Sequence, residues 1–168
     1  IVNSQPSNAL NDEERYKELL NNNGLSKDNL LIPAVYKEIF LDNYRYFILS
    51  SGRISGKTSI LVAMWWTYRN KFKDRDIVIL QATATEIKDS IINEIEKFLV
   101  RSGFDVGEEP TCEWYIPKAK DRIVHRGEEG ATYFYPITDS NGGQRSRGIT
   151  TKRPISLVLY EEAQKNKD

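Results

Sequence analysis

Two groups of residues in this chain have the types and spacing to act on a phosphate ester. Ser51-Gly52-Arg53-Ile54-Ser55-Gly56-Lys57-Thr58 fits G-x-x-x-x-G-K-[ST] at every defined position except the first, where Ser51 replaces glycine. In such a loop successive backbone N–H groups turn inward toward a β-phosphate, and the helix that follows adds the partial positive charge of its N-terminus. Gly56 would let the backbone approach the phosphate closely. Lys57 would bridge β- and γ-phosphate oxygens, and the Thr58 hydroxyl would complete the octahedral oxygen shell of Mg²⁺. With Ser59, residues 51–58 form the expected ATP-binding set.

The second group is Glu161-Glu162, directly after the apolar run Leu157-Val158-Leu159-Tyr160. That order puts carboxylates at the C-terminal end of a strand, where open α/β sheets bind their ligands. This is the Walker B position. Glu161 would hold Mg²⁺ through a water, because a glutamate is one methylene longer than the aspartate more common there. Glu162 would orient or deprotonate the water that attacks the γ-phosphate.

These groups need elements to carry them. Tyr46-Phe47-Ile48-Leu49 reads as a strand running into the glycine loop, and Ile60, Leu61, Met64, Trp65 and Tyr68 recur at helical spacing after it. The order is therefore strand, phosphate loop, helix. Residues 77–80 form a second buried strand. Thr83 and Glu86 suggest a capping box for a helix bearing Ile87, Ile91, Ile95, Phe98 and Leu99, which Gly103 would end. Strand-like pieces at 112–116, 122–125 and 131–135 suggest an antiparallel addition to the sheet. Residues 155–160 are the last apolar strand. Near the start, Asn11 is placed to cap a helix opening on Asp12, Glu13 and Glu14, and Pro33 to open a short helix to Leu41. The organisation expected is an N-terminal arm and helix over residues 1–30 and a nucleotide-binding core over 31–168.

Composition narrows the class. The 168 residues are 39% apolar and 29% charged, as for one ordinary globular domain. Twenty-four basic residues balance twenty-four acidic ones, so any attraction to a polyanion must be local. A single cysteine, Cys112, excludes an internal disulfide, and there is no zinc-ligand spacing. Apolar runs fall far short of the roughly 20 residues of a membrane span, so no membrane association is expected. The start at Ile1 and the charged finish after the second motif suggest a segment of a longer chain.

One local charge feature stands out. Residues 140–160 contain no acid, while Arg145, Arg147, Lys152 and Arg153 cluster among glycines. Such a loop could grip DNA backbone phosphates or present an arginine to a neighbour's nucleotide; a solvated loop is the plainer alternative. Trp65 and Trp66 are read as packing for the helix after the phosphate loop, and His125 receives no role.

Residues 45–58 resemble the phosphate loop of bacteriophage terminase large subunits, the ATPases that package viral DNA. Arg53 lies inside the loop where terminases carry an arginine, Asp89-Ser90 is similar to their second-strand region, and Glu161-Glu162-Ala163 resembles their acidic-acidic-alanine signature. The likeness extends from about residue 31 to 164. It implies an α/β P-loop NTPase of the RecA-like ASCE type, a three-layer sandwich with a mostly parallel central sheet and an added antiparallel segment. It further implies ATP and Mg²⁺ as cofactors, a ring of identical subunits on the portal of a procapsid, and translocation of double-stranded DNA in the cytoplasm of an infected bacterial host. By the same resemblance Arg53 would contact the γ-phosphate as part of the catalytic set with Lys57 and Glu162, and Tyr36, Tyr44 or Tyr46 would stack on adenine. The sequence departs from terminases at Ser51 and Ile54, commonly glycine there, and their third, coupling motif and nuclease domain would lie beyond it. Two readings compete: another P-loop nucleic-acid motor such as a helicase or recombination ATPase, and a nucleotide-binding switch without turnover.

Overall fold

A computed structural model describes residues 11–32, 37–41, 56–81, 91–136 and 150–161. Helix α1 (Asp12–Asn22) begins with a full capping box: the Asn11 side chain accepts from Glu13 and Glu14 N–H, and the Glu14 carboxylate accepts from Asn11 N–H at 3.0 Å. Its acidic first turn complements the positive end of the helix dipole. A short helix, α2 (Lys37–Leu41), follows. Helix α3 (Lys57–Lys71) starts from Gly56 and is buried on all sides along residues 60–66, so it is a core helix and not the one-faced helix its spacing suggests.

Four residues after α3 the chain enters β1 (Asp76–Gln81), and α4 (Ile91–Arg101) then buries one apolar stripe of Ile91, Ile92, Ile95, Phe98 and Leu99. Gly103, at φ +85°, ends α4 in a left-handed turn, with Phe104 N–H donating to Leu99 O at 3.1 Å. The remaining strands are β2 (Val106–Gly107), β3 (Trp114–Tyr115), β4 (Arg122–His125), β5 (Ala131–Pro136) and β6 (Ile155–Glu161).

Among the described residues these strands make one mixed sheet in the order β2-β3-β4-β5-β1-β6. β1 is flanked by parallel partners on both sides, β5 and β6, while β4 runs antiparallel to both β5 and β3, and β2 is parallel to β3. The architecture is α/β with a mostly parallel sheet. The antiparallel addition expected from the sequence is thus smaller than foreseen: β5 belongs to the parallel centre, and the reversal starts at β4. The expected strand at 46–49 and the expected cap at Thr83 lie outside the described residues.

The core fills the space between α3, α4 and one sheet face, where Ile77, Ile79, Ile123, Phe134 and Leu159 meet Trp65, Trp66, Phe98 and Trp114. Trp66 packs edge-on to Phe98 and donates its indole N–H to Asn23 O at 2.6 Å. The end of α1 is thereby fixed to α3. Leu25, almost wholly buried, belongs to the same core.

Candidate functional site

Gly56 adopts φ 77° and ψ 15°, the left-handed conformation, immediately before the first helical residue. A side chain there would meet its own carbonyl, at a cost of roughly 1–2 kcal/mol, so glycine is the residue this turn requires. Glycine also has no side chain with which to cap a helix. The N–H groups of Lys57, Thr58 and Ser59 thus sit in the first turn of a 15-residue helix without a side-chain cap from the N-cap position. All four residues are half-buried.

The far end of α3 shows how this turn lies relative to the sheet. Arg69, in the last turn, donates from Nη2 to Phe72 O at 2.8 Å and to Arg75 O at 2.6 Å. Those carbonyls precede β1. One turn earlier, Trp65 Nε1 donates to Thr132 Oγ1 at 2.8 Å, and Thr132 pairs with Ile77, which pairs with Leu157. The helix therefore runs back along the parallel strands toward their C-terminal ends. From Trp65 to Lys57 the helix rises about 12 Å, and from Leu157 to Glu161 the strand rises about 13 Å. Since α3 packs on β6, this places Lys57 and Thr58 level with Glu161.

At that edge the backbone of Glu161 is the register partner of Gln81, whose side chain is 1% exposed. Sequence reading passes over Gln81, though a polar residue ending an apolar strand was the available signal. Ser51, Gly52, Arg53, Ile54, Ser55, Tyr36 and Glu162 lie outside the described residues, as do Arg145 and Arg147. The structure thus brings Gly56, Lys57, Thr58 and Ser59 to the edge where β6 delivers Glu161.

Lys152 and Arg153 fall elsewhere. They precede β6, and its six residue steps put them about 20 Å or more from Glu161. Arg153 Nη1 is 2.7 Å from Glu129 Oε2, and its backbone N–H donates to Asp76 Oδ2 at 3.1 Å. The absence of acids within 140–160 is therefore compensated in space by Glu129, from the turn before β5, and Asp76, from β1. Lys152 is exposed.

The opposite, N-terminal edge of the sheet is organised by groups that sequence reading leaves unassigned. Asp76 Oδ1 accepts from Ala131 N–H at 3.0 Å while Oδ2 accepts from Arg153, so one carboxylate joins the starts of β1, β5 and β6. Arg69 and Glu128, 2% and 6% exposed, approach to 3.1 Å between Nε and Oε2, an ion pair whose angle is not that of an aligned hydrogen bond. Burial lowers the Arg69 pKa, opposed first by the charge of Glu128. Gly130 is obligatory here, because a Cβ would collide with the Arg75 carbonyl and the Arg69 guanidinium. On the sheet, burial raises the pKa of Tyr133 and Tyr135, with the negative charge of Asp76 adding to both.

Among the described residues no group of three or more His, Cys, Asp or Glu could hold a metal ion, and no helix is long and apolar enough to cross a membrane. A Mg²⁺ bound with a nucleotide would not need such a group, because a hydroxyl such as that of Thr58, with phosphate and water oxygens, could supply its shell. A hydroxyl in the first turn after a left-handed glycine fits that demand. No family model, curated protein or solved structure matches this chain.

Proposed function

We propose that this chain is a P-loop ATPase of the RecA-like type that drives double-stranded DNA, as a packaging motor of the terminase kind does. What supports the reading is the match of helix and strand lengths, which puts the Gly56 turn, Lys57 and Thr58 level with the end of β6 that bears Glu161. A phosphate-loop match by itself is a pattern. Its value rises when helix and strand lengths bring the second motif level with it.

In this reading the first-turn N–H groups of α3 receive the phosphates, helped by the positive helix terminus. Lys57 neutralises charge on the β- and γ-phosphate oxygens as the terminal phosphoryl group leaves. Thr58, and Glu161 through a water, would hold Mg²⁺, which when bound would supply electrophilic assistance at the phosphates. Glu162 accepts a proton from the attacking water, and Arg53 adds positive charge at the γ-phosphate. Tyr36 offers an aromatic face to adenine. The burial of α3 on all sides makes it a rigid mount for Lys57 and Thr58.

The assignment to DNA packaging, with a portal protein and a ring of copies as partners, rests on the terminase-like residues around both motifs. Mg·ATP hydrolysis with and without duplex DNA tests it. DNA-stimulated turnover that is lost in Lys57→Ala supports the reading, and DNA-independent turnover in a folded protein counts against a motor.

A further inference from the structure

The N-terminal edge of the sheet, at the opposite end of α3 from the phosphate turn, carries a second charged surface. Lys71 ends α3, and Phe72, Lys73, Asp74 and Arg75 form the turn into β1. Asp76 N–H donates to Pro154 O at 3.0 Å, and Arg153 N–H donates back to the Asp76 carboxylate, so Lys152 and Arg153 adjoin this turn. Lys71, Lys73, Arg75 and Lys152 are exposed. The exposed acids beside them are Asp74 and Glu129, and Glu129 is engaged by Arg153 at 2.7 Å. Glu128, 3.9 Å from Lys73, is buried and lies nearer to Arg69.

We propose that Lys71, Lys73, Arg75 and Lys152 form a binding surface for the backbone of duplex DNA. The chain as a whole is neutral, so this local excess is set by the fold, which joins cations from two segments about 80 positions apart. Among the described residues the exposed apolar side chains beside this turn are Pro154 and Ile155, too few for the apolar centre that a folded protein partner would bury. Phe72, the aromatic ring in this turn, already has Lys71 Nζ at 5.3 Å and Arg75 Cζ at 5.1 Å from its centroid. Its faces serve to hold the cations and not to stack on unpaired bases. Long cations without base-reading partners give sequence-independent contacts to phosphate, as a translocating motor needs. Because α3 has the phosphate turn at one end and this surface at the other, a single buried helix joins nucleotide to DNA.

This inference rests on the DNA-motor reading above, and its test is separable because binding is read without nucleotide. Fluorescence anisotropy of a mixed-sequence labelled duplex is measured over a salt series for the full chain, for the triple variant Lys71→Gln, Arg75→Gln, Lys152→Gln, and for a control triple, Lys17→Gln, Lys27→Gln, Lys97→Gln. The control removes equal charge from other exposed sites, and thermal melting verifies that all three proteins fold. The expected result is about tenfold or greater weakening for the first triple alone, with its slope of log Kd against log salt shallower by about 2–3. Equal effects of the two triples, an unchanged slope, no duplex binding by the parent chain, or displacement of duplex by single strands at lower concentration would each overturn the assignment. Turnover that survives Lys57→Ala would instead remove the ATPase reading and leave this surface standing.

Discussion

Arg69 Nε lies 3.1 Å from Glu128 Oε2 with both side chains almost wholly buried, and this pair fixes the end of α3 remote from the phosphate turn. Replacing Glu128 by Gln strands a buried guanidinium, for which a loss of about 3–5 kcal/mol is expected. Urea denaturation of Glu128→Gln checks this. A loss below about 1 kcal/mol would be the behaviour of a surface pair, contradicting its place in the core.

The Trp65–Thr132 hydrogen bond sets how far α3 slides along β5. Thr132→Val leaves a buried indole N–H without its acceptor and should cost about 1–3 kcal/mol in chemical denaturation. Because the same bond sets the level of Lys57 at the sheet edge, the variant should also raise the KM for ATP.

Gly56 carries the left-handed turn ahead of α3. Gly56→Ala is expected to destabilise the fold by about 1–2 kcal/mol and to weaken nucleotide binding beyond that, since in the proposed site a methyl group would intrude where the backbone is to meet phosphate. Isothermal titration with Mg·ATP, set against thermal melting of the same protein, separates the two losses.

The elements nearest the site were legible because each has a strong local signal. Glycine before a lysine marked the start of α3, four bulky residues before two acids marked β6, and Asn11 ahead of the acidic turn Asp12, Glu13 and Glu14 marked the first cap. What stayed hidden was pairing across distance. Nothing in the local pattern at 131–135 says that β5 lies parallel to β1, since strand direction is decided by the crossover and not by the strand. Glu128 and Arg69 are 59 positions apart in sequence, and nothing local to Asp76 says that the starts of three strands converge on it. Arg153 looked like an uncompensated cation because its partner Glu129 comes from outside its own segment.

Alkaline pH tests the sheet face and the α1 packing. Burial raises the phenol pKa of Tyr16, Tyr133 and Tyr135 above the ordinary value of 10.0. The folded state therefore holds these protons more tightly than the unfolded one, and their contribution to stability is complete below pH 10 and lost as pH rises through the folded values. Absorbance at the tyrosinate band should show these three of the nine tyrosines ionising late, together with unfolding. Titration of all nine at the ordinary pKa in folded protein would contradict their burial.

The central claim, that Lys57, Glu161 and Glu162 serve one phosphoryl-transfer site, is tested most directly by Mg·ATP binding and turnover in Lys57→Ala and Glu162→Gln side by side. The expected result is loss of turnover in both by about 10²-fold or more, with Mg·ATP still bound by Glu162→Gln and bound weakly by Lys57→Ala. Parent-level turnover in Glu162→Gln, or full nucleotide affinity and turnover in Lys57→Ala, would contradict it.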